Sequence, residues 1–469
     1  MGLDPTTIPG PPPMTVLRSG GNLIQFLRDP IAYIRTLYQT YGEIVALVKG
    51  RKGIIFAFGP HYNQQILSDP AVFHCTGITL PGPPESAQRR LGHAIFRMNA
   101  DQHAQHRRII MPPFHKKSIE SYRDSLVSLT QQMLDTWQSG QQRDIAHEMK
   151  KFTIRTTAEI LFGLNDYPKP YMIADMVDRW MSLSTSFTVR LLPVNFPGTP
   201  YHRVLTLAER LEKEILALIN HRRTDRSGGN DILSLLLLAH NEQGNGLTDA
   251  DLIGQTNLLF IAGYETIFNA LTWTLFLLAQ HPPIMAHVLD ELEGTLRGDP
   301  PALEQLSQLP LLECVIKESM RVLPPVVYNT RNSIEPFRLG SYELPKGSTV
   351  GFSHYITHHM PELYPQPEKF LPQRWLTIDP SPYEYLPFGA APRMCIGAAF
   401  AMMTLKVSLS MILQRYRLTV VPGATIDRNG LVTLSPKHGM PMLIRLQDRQ
   451  FIKSEVRGNI HEMVDLRTH

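Results

Sequence analysis

Cysteine is scarce in this chain: three occur in 469 residues, at Cys75, Cys314 and Cys395. A disulfide framework is thereby excluded, and a reducing interior fits. An excess of charge of one sign is lacking too. The formal net charge of +4 is too small to suggest nucleic-acid binding, and no basic stretch is interleaved with aromatics as single-strand binders require. No Ser/Gly-rich linker, long charge block or repeated unit divides the sequence, so a single domain over residues 1–469 is expected. The opening MGLDPTTIPGPPP has neither a charged n-region with an apolar core nor a membrane-spanning run, which points to a cytoplasmic protein without an N-terminal anchor. With 43% hydrophobic residues the chain can bury a large core and still wall an apolar cavity.

What the sequence does contain is helical periodicity. From about Asp101 to Leu323 it dominates, broken at Pro112-Pro113, near Pro168 and before Tyr201. Short strand-like runs flank it: EIVALVKGRKGIIFAFG reads as a hairpin around Gly50 to Gly53, and FRLGSYELPKGSTV and LTVVPG as further small sheet pieces. The small sheets thus fall roughly within 30–100 and 325–469, around a helix-rich 101–323. The fold class expected is mainly α with small β-sheets. One helix stands out. Thr248 followed by Asp251 makes a capping-box-like start, the pattern runs to Gln280, and HPP stops it. Glu265 is the only formal charge between Asp251 and His281, and with Gln255, Thr266 and Asn269 it makes burial in a bilayer costly, so a soluble core helix is favoured.

Cys395 lies in FGAAPRMCIG, Phe388 to Gly397, directly before the helix-like run AAFAMMTLKVSLSMILQRY. A thiolate is favoured by the unpaired N–H groups and positive dipole end of a helix N-terminus. Gly389 and Gly397 let backbone pass close to a bulky planar ligand. Arg393 offers a two-pronged guanidinium to a carboxylate, and Pro392 stiffens the approach. These features make Cys395 the best candidate for an anionic sulfur ligand to iron. The alternative for an isolated Cys is a buried, inert thiol.

The segment resembles the heme-binding signature of the cytochrome P-450 superfamily: Phe, Gly or Ser, any, Gly, any, Arg or His, any, Cys, any, Gly. Ala391 stands where that pattern has its second Gly, a departure that bears on loop geometry. The string AGYET, Ala262 to Thr266, is similar to the family's oxygen-activating motif. Glu318 and Arg321, three apart on LLECVIKESMRV, with Arg374 in FLPQRW, correspond to the family's buried Glu–Arg–Arg triad. His103 and Arg107 in DQHAQHRRIIMPPF resemble its propionate-binding pair, and Arg331 is a further candidate.

This resemblance covers nearly the whole chain. It implies a triangular, prism-like helical body with a long central helix across the heme, Cys395 as the iron ligand, and Glu265 and Thr266 as a proton-relaying acid–alcohol pair. Ala262, Phe388 and Gly397 would line heme b, and His103, Arg107, Arg331 and Arg393 would neutralise its propionates. Thiolate ligation favours O–O cleavage, so the reaction implied is insertion of one oxygen atom from O2 into a C–H or C=C bond. Nothing resembles a flavin, nicotinamide or iron–sulfur site, so electrons come from a separate protein, an acidic ferredoxin or flavodoxin docking on basic residues such as Arg108, Lys116, Lys117 and Lys406.

The segments that resemble the family's substrate-contacting regions, FHCTGITLPGPP, Leu258 to Ala262 and PPVVYNT, are mostly uncharged, which favours a lipophilic compound: fatty-acid-like, terpenoid, steroid or macrocyclic, with long-chain or terpenoid-like compounds preferred. Tyr328 and Asn329 can orient a carbonyl or hydroxyl, and no Arg stands out as a carboxylate anchor. Two other readings remain open, a peroxide-driven peroxygenase and a non-catalytic heme protein sensing a gas or lipid. His354, His358 and His359 lack the acidic or Cys neighbours of a recognisable metal site. A monomer is expected.

Overall fold

The computed structural model describes residues 3–14, 20–50, 53–77, 79–164, 168–224, 231–238, 246–430 and 432–467. They form two compact units, one of Met1–His74, Leu126–Lys150 and Thr266–His469, the other of Cys75–Ser125 and Lys151–Glu265.

The first unit carries the strands. β1 (Ile44–Ala46), β2 (Ile54–Ala57) and β3 (Phe73–His74) precede the edge strand β4 (Gln142–Asp144), and β5 (Tyr328–Ser333), β6 (Thr349–Ser353), β7 (Tyr416–Val420) and β8 (Pro441–Leu446) follow. One sheet has the order β1-β2-β6-β5-β3, with β2 and β6 parallel and its other pairs antiparallel. A second, wholly antiparallel, has the order β4-β8-β7. The apolar alternation of EIVALVKGRKGIIFAFG forms the antiparallel pair β1–β2 (its turn residues Arg51 and Lys52 lie outside the described residues), and Val45, Ile55, Phe56 and Ala57 are buried. Strand β4, QRD, falls inside the stretch read as helical. Its three polar residues give no apolar alternation, and its place is fixed by pairing with β8.

The second unit is built from α1 (Ala87–Leu91), α2 (Ala100–Ile110), α3 (Lys169–Thr185) and α4 (Pro200–Thr224). The long helix, α5 (Asp249–Gln280), contributes residues to both units. Its capping box is realised: Asp251 N–H donates to Thr248 Oγ1 at 3.2 Å and Thr248 N–H to Asp251 Oδ2 at 3.0 Å. α5 is the one described helix long and apolar enough to cross a membrane, and 67% of its most apolar window is buried, as in a core helix. The first unit also holds α6 (Pro310–Val322), α7 (His354–His358) and α8 (Ala398–Arg415).

The histidines on and beside α7 are spent on packing. His358 Nε2 accepts the Leu386 N–H at 2.8 Å, His359 Nδ1 lies 2.8 Å from Tyr355 O, and His354 Nε2 lies 3.3 Å from Asn329 Nδ2. No group of three or more His, Cys, Asp or Glu able to hold a metal ion occurs among the described residues. Burial, with the nearby Arg331 charge, depresses His354 from 6.5 to about 4; burial and then Arg321 depress His359 to about 3, and burial pushes His358 down as well. Such groups stay neutral when folded and take up protons more readily when unfolded. Their contribution to stability is therefore complete above about pH 6.5 and is lost as pH falls below it. Urea unfolding monitored at successive pH values is expected to show stability falling between about pH 6.5 and 4 with a slope of up to about three protons, and replacing one of these histidines by an apolar residue should lower that slope.

Candidate active site

The Cys395 loop is shaped by backbone. Gly389, at φ +66°, donates its N–H to Leu386 O at 3.0 Å, and Met394 N–H returns to Ala391 O at 3.0 Å over the 3-10 turn Ala391–Arg393. Cys395 N–H then donates to Phe388 O at 2.8 Å and closes the loop. Ala391 sits at φ +57°, in the left-handed region, where a Cβ costs about 1 kcal/mol relative to Gly. This is the position at which the heme-binding signature has Gly, so the loop keeps its shape here against a small strain. Gly397 is the N-cap of α8 and makes no side-chain capping bond. Cys395 is exposed at that helix end, whereas Cys75 and Cys314 are buried, and burial raises the Cys314 thiol pKa.

In the same unit, Arg393 is half-buried and its charge adds to burial in depressing His74. Arg331, on β5, is 7% exposed, and its guanidinium lies 5.4 Å from the centre of the Phe352 ring. Tyr328 packs against Phe26 and Phe56, with centroids 5.5 and 6.2 Å away, and Asn329 is engaged by His354, so both residues named as substrate-orienting have structural contacts.

Glu318, Arg321 and Arg374 are brought together. Glu318 and Arg321 are fully buried on α6, paired through two bonds of 2.9 Å, and Arg374 Nε reaches Glu318 Oε1 at 3.0 Å. Arg321 also donates to His358 O (2.7 Å), Pro367 O (2.9 Å) and Lys369 O (3.1 Å), and Arg374 to Pro365 O. Two members escaped the sequence reading: Trp375 Nε1–H donates to Glu318 Oε2 at 2.9 Å and Leu371 N–H to Glu318 Oε1 at 3.0 Å. The signal for Trp375 was its place beside Arg374 in FLPQRW. Lys406, expected on a basic docking face, instead pairs with Glu313 at 2.7 Å, its side chain 12% exposed, because a polar residue on this face of α8 packs inward.

In the other unit, His103 is buried on α2, Arg107 half-buried and Arg108 exposed. His106, one turn on from His103, and His93 both face Asp251, at 3.7 and 3.1 Å. Burial alone would raise the Asp251 carboxyl, but hydrogen bonds from His93 and Thr248 bring it down to about 2. Along α5, between Asp251 and Gln280, the residues that are not buried are Leu258, Ile261, Ala262, Gly263, Glu265, Thr266 and Ala279. Five of these seven, all but Gly263 and Ala279, share one helical face at mid-helix, with Ala262 the most open. Between them Tyr264 is fully buried and donates to Asp178 Oδ1 on α3 at 2.7 Å, burial and that carboxylate holding its pKa far above 10. A Cβ on Gly263 would stand 2.8 Å from Thr157 Cγ2, so Gly is required by the close approach of that segment.

A helical body with small sheets, a tightly turned cysteine loop before a helix and a buried Glu–Arg–Arg cluster define the class. Residues 9–441 match the family model described as Cytochrome P450, and the chain belongs to that family. It is similar to cyclooctat-9-en-7-ol 5-monooxygenase of Streptomyces melanosporofaciens, 30% identical with 90% of this chain and 91% of the relative covered. It is also similar to pentalenene oxygenase of Streptomyces avermitilis, 27% identical over 94% and 97% of the two chains. Among solved structures, the retinoic acid-bound cyanobacterial CYP120A1 superposes with a TM-score of 0.81 at 25% identity, covering 94% of this chain and 99% of that one. The protein is a cytochrome P450 monooxygenase, an oxidoreductase, and its family implies heme-thiolate iron and the use of O2.

Proposed function

We propose that Cys395 is the axial sulfur ligand of heme b and that the enzyme inserts one oxygen atom from O2 into a lipophilic, terpenoid-like substrate, with electrons from a separate ferredoxin or flavodoxin in the cytoplasm. The observation that carries the reading is the exposed Cys395 at an uncapped helix N-terminus, in a loop closed by its own N–H on Phe388 O. A helix N-terminus favours the anionic form of a sulfur ligand. The donor chemistry fits the group. In the first unit Arg331 and Arg393 carry guanidiniums, and in the second His103 and Arg107 carry an imidazole and a guanidinium, the group types that bind propionates. The accessible stripe on α5 fits as well, since the small, exposed Ala262 leaves room for a planar ligand and for O2.

When bound, thiolate-ligated heme supplies O–O bond cleavage. The chain's part is proton delivery and positioning. Glu265, half-buried, would take a proton from water at its carboxylate and pass it to the Thr266 hydroxyl oxygen, which would release its own proton towards the oxygen-binding side. The Glu318 network fixes the segment 365–375 against α6 and so steadies the approach to the thiolate loop. Relatives named for terpenoid substrates support a terpenoid-like one here.

Turnover of terpenoid candidates with NADPH and surrogate redox proteins, against turnover with hydrogen peroxide alone, tests the proposal. The NADPH-driven rate is expected to exceed the peroxide-driven rate by at least about tenfold, because the acid–alcohol pair is intact. Equal or greater peroxide-driven turnover would favour the peroxygenase reading.

A further inference from the structure

Two arginines near the start of the second unit face backbone carbonyls and one hydroxyl. Arg97 Nη2 donates to Thr79 O at 2.6 Å and to Thr79 Oγ1 at 3.3 Å. Arg89 donates to Gly82 O at 3.0 and 3.1 Å and to Pro83 O at 3.3 Å. No carboxylate among the described residues pairs with either. The contrast with the adjacent Arg90 is direct: it holds Glu212 in a two-pronged bond at 2.5 and 2.8 Å. Arg97 is half-buried, and burial followed by the like charge of Arg89 depresses its pKa. Its guanidinium lies against Gly77, at φ +81°, where a Cβ would stand 2.7 to 2.9 Å from three guanidinium atoms. The backbone there is shaped around the cation, while the Nε and Nη1 donors have no described acceptor.

A half-buried cation beside a second cation is costly unless an anion joins them. The residues assigned above to the propionates do not include this pair. The surrounding segment, Gly77 to Pro84, is uncharged, and the neighbouring Phe96 is an exposed aromatic. We propose that Arg97, supported by Arg89, is the anchor for the carboxylate of an acidic lipophilic substrate, which makes the preferred substrate class terpenoid or long-chain carboxylic acids. The inference rests on the monooxygenase reading and narrows it. No covalent step is involved: a carboxylate oxygen of the acid accepts one charge-assisted hydrogen bond from Arg97 Nη1–H, and its hydrocarbon body lies on apolar surface.

The test is calorimetric titration of the heme-loaded protein with all-trans-retinoic acid and with retinol, which share a hydrocarbon body and differ in the charged end. The acid is expected to bind roughly 10- to 100-fold more tightly, the range of one charge-assisted hydrogen-bonded contact. In Arg97→Gln that advantage disappears and retinol binding stays within about twofold. Arg97→Lys, which keeps the charge and loses the planar guanidinium, retains part of it. On the unaltered protein, raising salt from about 20 mM to about 0.5 M weakens acid binding and leaves retinol binding unchanged. Equal wild-type affinity for the two compounds, or an acid preference that survives Arg97→Gln, overturns the proposal. Heme loss from Arg97→Gln without any wild-type acid preference reassigns Arg97 to the propionates and also overturns it. Protein that stays colourless after heme reconstitution yet prefers the acid would sink the heme reading and leave the anchor standing.

Discussion

Cys395→His is expected to abolish monooxygenase turnover, by at least roughly 10³-fold, equivalent to ~4 kcal/mol of barrier. It should also move the absorption of the reduced, carbon monoxide-bound protein from the thiolate position to that of an imidazole-ligated heme. The argument is electronic and local. A neutral imidazole lacks the electron donation by which a thiolate favours O–O cleavage, so the variant keeps a coloured cofactor while losing the chemistry. The exchange is tolerable structurally because residue 395 is exposed and its backbone bond to Phe388 O does not involve the side chain. Cys75→Ser and Cys314→Ser serve as controls, since both thiols are buried and should leave the spectrum alone. An unchanged spectrum in the His variant would remove the basis of the proposed mechanism.

Glu318→Ala is expected to destabilise the protein by ~3–5 kcal/mol, the cost of stranding a buried charge. The carboxylate is fully buried and satisfies four donors at once: Arg321, Arg374, the Trp375 indole and the Leu371 amide. Its removal leaves the fully buried Arg321 guanidinium without its anion, though still bonded to three carbonyls. Glu318→Gln keeps the shape and loses the charge, and should cost less. The exposed i,i+4 pair Arg179–Asp175, with side chains 69% and 58% exposed, provides the contrast: Asp175→Ala should change stability by less than about 1 kcal/mol. Urea unfolding of the three variants against the parent measures all of this. A Glu318→Ala protein as stable as Asp175→Ala would show that the cluster is not the clamp described.

Much of the architecture was legible in the chain because it depends on local pattern. The bounds of α5 followed from Thr248, Asp251 and the stop at HPP, and the β1–β2 pair from apolar alternation around a glycine-bearing turn. The edge strand β4 was not legible, because three polar residues become a strand only through β8. Around the site, the family resemblance grouped Glu318, Arg321 and Arg374, yet Trp375 and the Leu371 amide complete the cluster through contacts across more than fifty positions. Lys406 looked like a surface charge until its ion pair with Glu313 was seen, and Tyr328 and Asn329 turned out to be engaged by Phe26, Phe56 and His354.

By itself, then, the sequence determined the helices and turns and marked the candidate chemistry-bearing groups on them, because a cysteine before a helix, a capped apolar run and a glycine at a turn act within a few residues. Only the tertiary structure decided which groups are neutralised from a distance. It gave Arg90 a carboxylate and left Arg97 and Arg89 facing carbonyls, it buried Tyr264 while opening Ala262 beside it, and it turned three histidines into neutral packing. Charge pairing and burial depend on what the fold brings alongside a residue, and one chain read in order does not contain that neighbour.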